Sequence, residues 1–277
     1  MRYTDAPERR RELLRRVTDA GYVSSTEAAA SLGVSEMTIR RDLRQLAAQG
    51  LVNRVAGGAS RPAPASGAPF EDRRDAATRE KECVARAAVA LVPSGAIVAL
   101  DAGTTVAALA PLLPGGITVV THSVPVIQAC TERDDIELIA LGGAYHAPTR
   151  SFTGPITRTS LEELAVDVAV LSATAAGATG VYSANATDAD TKRAMARIAR
   201  RVVLLLDHGK LEARAPMRFL ELASADVVVV DAAASAEQVA MLRGSCRQVV
   251  LAPPGETLAG TLQAGRSSTS RTPRRAR

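Results

Sequence analysis

Apolar residues in the first sixty positions recur three or four residues apart, in short stretches that end at glycines. That spacing gives each stretch one apolar helical face, and hydroxyl side chains at the starts can cap the helices. In the third stretch the apolar face consists of Ile39, Leu43 and Leu46. The predicted elements are a helix over 9–20 that ends at Gly21, a helix capped by Ser25 or Thr26 that ends at Gly33, a helix over 36–49 capped by Ser35, and a hairpin-like segment over 51–58.

From about residue 76 onward, helical patterns alternate with continuous runs of Val, Ile, Leu and Ala. Such runs are typical of strands buried on both faces, as in a parallel sheet covered by helices. The fold class is therefore α/β, with a mostly parallel sheet. The predicted strands are 96–101, 117–123, 136–143, 167–174, 201–207, 226–231 and 248–252, and the predicted helices are 76–91, 104–113, 124–131, 188–200, 215–224 and 235–242.

Two stretches have the composition of unstructured chain. Residues 56–69 contain mainly Gly, Pro, Ala and Ser, and residues 264–277 hold no apolar run that could anchor an element. We therefore divide the chain at these points. The predicted parts are an N-terminal module over 1–60, a linker over 61–75, a large α/β domain over 76–255 and a disordered basic tail over 256–277.

The charge is unevenly distributed. The 277 residues carry a formal charge of +5, which divides into +3 for residues 1–60, −3 for 61–263 and +5 for 264–277. This division argues against a protein that coats nucleic acid over its whole surface, but permits a small DNA-facing module. The start of the chain lacks the apolar core of a signal peptide, no apolar run reaches the length of a membrane span, and the three cysteines are unclustered. We expect a cytoplasmic protein that binds no membrane, metal or cofactor.

A helix, a tight turn, a second helix and a small hairpin form the plan of a winged helix-turn-helix, whose last helix enters the major groove. The candidates for base or nearby phosphate contacts lie on that helix. Further arginines are better placed to bind the phosphate backbone, although a helical bundle with a solvated arginine face would show the same periodicity. The base-contact candidates are Ser35, Glu36, Thr38 and Arg41, and the backbone candidates are Arg40, Arg44 and Arg54.

Residues 23–59 resemble the DNA-binding domain of DeoR-type transcriptional regulators. The most specific parts are GVSEMTIRRDL (33–43) and the wing RVAGGA (54–59). The family usually has a histidine before the Gly-Gly pair of the wing, where this chain has Ala56. The resemblance implies that the partner is a double-stranded DNA operator.

Small polar residues and glycines follow several predicted strands. Asp101 ends one strand and is followed by AGTT and a helix, a turn whose free N–H groups and hydroxyls suit an anion, although Asp101 and Thr104 could merely cap the helix. Two of only three lysines in the chain fall in such segments, where an ammonium can hold a phosphate or simply lie solvated at the surface. The candidate effector residues are Asp101, Gly103, Thr104, Thr105, His122, Ser123, Gly142, Gly143, Lys192, Asp207 and Lys210.

The region from PFEDR (69–73) to LLLDHGK (204–210) resembles the effector domain of the same DeoR-type regulators. The marker segments are DAGTT, THSVPV, LGG, GP, KRAM and DHGK. The resemblance implies a fold related to ribose-5-phosphate isomerase and CoA-transferases, and a phosphorylated sugar or related metabolite as the effector. His122 stands where the family usually has Asn, Ala144 where an acidic residue is common, and Thr174 where it has Asp, so the identity of the sugar does not carry over.

These features together predict a homodimeric or homotetrameric regulator, a repressor of a carbohydrate-metabolism operon that responds to a sugar phosphate. One alternative is a sugar-phosphate isomerase-like enzyme, with Asp101 or Asp207 as its general base. No carboxylate–lysine or carboxylate–histidine pair stands out in the sequence as catalytic, so we expect no enzyme. The other alternative is a DNA-binding protein without an effector.

Overall fold

The structure is a computed structural model that describes residues 5–49, 51–55, 57–60 and 68–254. Ala56, most of the predicted linker and the predicted basic tail lie outside the described residues. The N-terminal module packs three helices against a small antiparallel sheet with strand order β1-β3-β2. Its elements are α1 (Ala6–Ala20), β1 (Tyr22–Ser24), α2 (Ser25–Leu32), α3 (Glu36–Ala48), β2 (Asn53–Val55) and β3 (Gly58–Ser60).

The helix boundaries of this module follow from local chemistry. Gly21 and Gly33 adopt left-handed backbone, with φ of 77° and 68°, and end α1 and α2. Ser35 caps α3, as expected, by accepting from the Thr38 N–H at 3.2 Å. The expected cap of α2 is wrong by one residue, because Ser24 accepts from the Glu27 N–H while Ser25 is buried.

The α/β domain contains helices on both sides of a central sheet. Its helices are α4 (Phe70–Asp75), α5 (Thr78–Val89), α6 (Thr104–Leu109), α7 (Val124–Thr131), α8 (Pro155–Glu162), α9 (Ala186–Ile198) and α10 (Ala236–Ser245). Its strands are β4 (Ile97–Leu100), β5 (Ile117–Thr121), β6 (Ile136–Ala140), β7 (Ala144–His146), β8 (Ser151–Thr153), β9 (Val166–Ser172), β10 (Ala175–Gly177), β11 (Gly180–Ser183), β12 (Ala199–Leu206), β13 (Met217–Leu220), β14 (Val227–Asp231) and β15 (Gln248–Ala252).

The central sheet has seven parallel strands in the order β15-β14-β12-β9-β4-β5-β6. Alternate residues of one strand enter separate cores on the two faces of the sheet. In β4, for example, Val98 and Leu100 join one core and Ala99 the other. Burial on both faces explains why these strands are continuous apolar runs. The predicted parallel α/β class is confirmed.

Two of the differences from the sequence prediction concern helices. The predicted helix over 215–224 is instead β13 followed by a single 3-10 turn, and β13 joins β10 and β11 in an antiparallel sheet. Phe219 on β13 enters the core while its strand neighbours are more exposed, an alternation that suits a strand. Helix α4 lies inside the range predicted as linker, and it is anchored by the buried ring of Phe70.

Candidate DNA-reading helix and effector site

Helix α3 presents a basic surface opposite its apolar stripe. The predicted stripe of Ile39, Leu43 and Leu46 is buried. The four arginines expected to contact DNA are exposed, three on α3 and one in the wing: Arg40, Arg41, Arg44 and Arg54. In the first turn, the Glu36 carboxylate pairs with Arg40 at 2.5 Å, and the Ser35 and Thr38 hydroxyls lie 2.8 Å apart.

A buried ion pair fixes α3 to α1. Arg9 Nε donates to Asp42 Oδ2 at 2.5 Å, and both side chains are at most 7% exposed. Arg10 lies further out, with its Nη1 3.7 Å from Asp42 Oδ1. The pair sets the position of the arginine-bearing helix in the module.

The effector residues predicted at strand ends meet at one edge of the central sheet, because the carboxyl ends of parallel strands point the same way. Asp101 lies at the centre, fully buried. The backbone N–H and the hydroxyl of Ser172, at the end of β9, donate to Asp101 Oδ2 at 3.1 and 2.7 Å. Lys192, on α9, contacts the same oxygen. A single carboxylate therefore joins β4, β9 and α9.

The surroundings of Asp101 keep it ionised. Burial acts to raise the pKa of Asp101, but the Lys192 ammonium and His122 outweigh it and hold the pKa well below its usual range. His122 Nδ1 lies 2.8 Å from the Phe152 carbonyl oxygen. A carbonyl oxygen can only accept a hydrogen bond, so Nδ1 must carry the hydrogen and donate it. The other ring nitrogen, Nε2, then faces Asp101 Oδ1 at 3.8 Å.

Several buried polar atoms at this edge have no hydrogen-bond partner among the described residues. They are Asp101 Oδ1, His122 Nε2, Ser123 Oγ and Asp207 Oδ2. Buried polar groups in folded proteins are almost always paired, with protein, water or a ligand. All four residues are among the predicted effector residues, so the polar cluster has hydrogen-bonding capacity available for a small polar molecule.

Two glycines of the predicted site are required by close packing. A Cβ on Gly103 would lie 1.7 Å from Ser172 Oγ, and one on Gly143 would lie 2.2 Å from Thr157 Oγ1. Gly143 also has a φ of 147°, which side chains rarely allow. At Gly142, by contrast, a Cβ would meet open space. Its carbonyl oxygen accepts from Thr157 Oγ1 at 2.7 Å.

A cavity of about 300 Å³ lies between the first turns of α6 and α7 and the helices α4 and α5. Of the predicted residues only Thr104 lines it, while the buried Asp101 and His122 do not. Three basic side chains that line the cavity, Arg74, Lys81 and Arg150, are not among the predicted effector residues. Its lining consists of Phe70, Arg74, Thr78, Lys81, Glu82, Thr104, Ala107, Ala108, Pro125, Gln128 and Arg150.

Comparison with known families matches both parts of the chain. Residues 9–64 match the DeoR-like helix-turn-helix domain, and residues 76–232 match the DeoR C terminal sensor domain. The chain belongs to the DeoR family. Its members are transcriptional regulators, and the assignment agrees with the exposed basic helix and with a separate polar site in the sensor domain.

Named relatives of this DeoR-family chain align over most of their length. The glycerol-3-phosphate regulon repressor of Escherichia coli is 30% identical over 228 residues, which cover 81% of this chain and 90% of the relative. The L-fucose operon activator of Haemophilus influenzae is 32% identical and covers 79% and 89%. Among solved structures, ribose 5-phosphate isomerase A from Neisseria gonorrhoeae matches 52% of this chain and 55% of its own, at 17% identity and a TM-score of 0.37.

Within the DeoR-family sensor domain, the two predicted lysines are paired with carboxylates. Lys192 contacts Asp101 and lies 3.7 Å from Asp188 Oδ2, and Lys210 Nζ lies 3.9 Å from Asp207 Oδ2. Their charges are thus partly balanced in the absence of a ligand. An incoming anion would compete with these carboxylates.

Sequence analysis missed two basic residues of the sensor domain, Arg73 and Lys81. Lys81 is buried, and its ammonium contacts the carbonyl oxygens of Arg73 and Ala76. Burial is the main cause that lowers its pKa to about 8; Asp207 and Glu80 act to raise the pKa, and Lys210 and Arg73 act to lower it. Burial also lowers the pKa of Arg73, against the attraction of Asp188 and Asp101. The signal for Lys81 was the scarcity of lysine, since all three lysines of the chain lie around this edge.

The described part of the chain shows two further features relevant to function. It holds no group of three His, Cys, Asp or Glu side chains that could bind a metal ion. None of its helices is both long enough and apolar enough to cross a membrane.

Proposed function

We propose that this DeoR-family regulator is a repressor of a carbohydrate-metabolism operon, and that a phosphorylated sugar bound at the Asp101 cluster controls its affinity for operator DNA. The observation that carries the proposal is the set of four buried polar atoms in the sensor domain that have no hydrogen-bond partner among the described residues. A dimer or tetramer, with at least two copies of α3, would bind spaced half-sites of a double-stranded operator.

The cationic side chains around the cluster could receive an anionic ligand. A phosphate would compete with the neighbouring carboxylates for these cations, and the hydroxyls of a sugar would satisfy Asp101 Oδ1, His122 Nε2 and Ser123 Oγ. The cations are Arg73, Lys81, Lys192 and Lys210, and the carboxylates are Asp101, Asp188, Asp207 and Glu80.

The DNA-binding part of the proposal is tested by footprinting upstream of neighbouring catabolic genes and by transcription from the protected promoter. We expect a protected, repeated half-site at physiological salt, and transcription that falls when the protein is added. Arg41→Ala should abolish protection, whereas Arg158→Ala, at an exposed position on α8 of the sensor domain, should not. Absence of protection would overturn the proposal, and increased transcription would make the protein an activator, like its Haemophilus influenzae relative by name.

The effector part is tested with a panel of phosphorylated sugars that includes glycerol 3-phosphate. One or more compounds should raise the melting temperature of the full chain and weaken operator binding. Lys192→Met should remove both responses, and Arg158→Met should keep them. If no compound in a broad panel changes melting or DNA binding, the protein is an effector-independent DNA-binding protein.

A further inference from the structure

Helix α3 displays a large apolar side chain on the exposed surface that carries its arginines. Met37, in the first turn of α3, is 80% exposed, more than any other large apolar side chain in the described residues. Burial of a methionine side chain stabilises a fold, and Met37 contributes little in this way because most of its surface is exposed. Packing within the module therefore does not explain the residue.

The position of Met37 on the helix is informative. At 3.6 residues per turn, Met37, Arg41 and Arg44 fall in one stripe, four and seven residues apart. This stripe is opposite the buried stripe that packs α3 into the module. Met37 thus projects outward beside the two arginines that we propose contact DNA.

The neighbours of Met37 in the first turn are already engaged with one another. The Glu36 carboxylate holds Arg40, and the Ser35 hydroxyl caps the helix and meets the hydroxyl of Thr38. Met37 is the side chain of this turn that points away from the protein without such a contact in the described residues. A partner surface that receives the stripe must accommodate one apolar group beside two cationic ones.

The major groove of DNA offers such a surface. Phosphates and guanine edges accept from arginine, and the C5-methyl group of thymine is the apolar group that the base edges present there. We propose that Met37 is a specificity-determining residue that contacts the methyl group of one thymine in each half-site, next to the bases and phosphates bound by Arg41 and Arg44. This inference rests on the proposed DNA-binding function.

The experiment begins with the full-length protein selecting its own sites from random double-stranded DNA. Each thymine of the selected half-site is then replaced, one at a time, by deoxyuridine, which removes only the methyl group. At one thymine per half-site we expect the wild-type affinity to fall about fourfold, the value for one buried methyl group. The Met37→Gln variant should bind the thymine-containing site about as weakly as the wild type binds the deoxyuridine-containing site. It should bind both sites with the same affinity.

A matched control is Ile156→Gln, which removes an apolar side chain that is 67% exposed on α8 and should keep the full discrimination. The proposal is overturned if the wild type is indifferent to every thymine methyl group. It is equally overturned if Met37→Gln discriminates at the same thymine as strongly as the wild type. Failure to select any sequence would have a different meaning, because it would remove the DNA-binding function on which the proposal rests.

Discussion

Among single residues, Lys81 has the least favourable surroundings for its charge. Its ammonium is buried against two carbonyl oxygens, and none of the described carboxylates lies within ion-pair distance. Its pKa falls from 10.5 to about 8. The unfolded chain therefore binds more protons than the folded chain between these two pH values, and the free energy of unfolding should rise with pH across that interval.

The expected contribution of Lys81 to this rise is at most roughly 3 kcal/mol, the equivalent of its pKa shift. Lys81→Met removes the titrating group, so its free energy of unfolding should lack this part of the rise. Urea unfolding of the wild type and the variant at several pH values from 7 to 10.5 measures the difference, and Arg158→Met, at an exposed position on α8, serves as a control that should keep the rise. Parallel pH profiles for the wild type and Lys81→Met would contradict the prediction.

Between elements, the contact that fixes the DNA-reading helix is the buried pair of Arg9 and Asp42. Asp42→Ala removes the carboxylate from a buried guanidinium, a change that typically costs about 3–5 kcal/mol. Hydrogen exchange of the α3 amides in the full chain measures the loss. The double variant Arg9→Met/Asp42→Leu, which replaces the pair with apolar groups, should recover most of it.

The control for this pair is Asp19→Ala, which removes an exposed partner of Arg15 on α1. Exposed pairs of this kind contribute up to about 1 kcal/mol. Exchange rates in α3 should therefore change little in this control. If Asp42→Ala were as mild as Asp19→Ala, the pair would not be what fixes α3.

The central strands could be predicted because their burial on both faces leaves continuous apolar runs in the sequence. The small antiparallel sheet could not, because β10 and β11 have only three and four residues and show no such run. Helix α4 was missed for another reason. Phe70 is buried partly beneath the guanidinium of Arg150, which lies 5.9 Å from its ring centre and eighty residues away in sequence.

In the candidate site, too, some residues could be predicted from the sequence pattern and others depend on tertiary contacts. Asp101 and His122 could be placed together because both follow parallel strands, whose carboxyl ends meet at one edge of the sheet. Arg73 and Lys81 precede the first strand of that sheet and reach the edge through helix packing, which no local pattern encodes. Their approach to Asp101, Asp188 and Asp207 depends on the tertiary fold.

In the whole molecule, the net positive charge lies outside the sensor domain. The surface of α3 and the wing carries exposed arginines, and residues 264–277, outside the described residues, contain five arginines and no acid. The intervening region has a formal charge of −3. The salt dependence of operator binding should therefore come from the ends of the chain.

This separation can be tested by measuring operator affinity over a range of salt concentrations. Each arginine that contacts a phosphate contributes about 0.9 to the slope of log affinity against log salt concentration. Arg44→Ala should lower the slope by about that amount, because a phosphate contact carries charge but no sequence information. Removal of residues 264–277 should also lower the slope. Neither change should alter which DNA sequence is selected, so a shift in the selected sequence would mean that Arg44 or the terminal segment reads bases instead of phosphates.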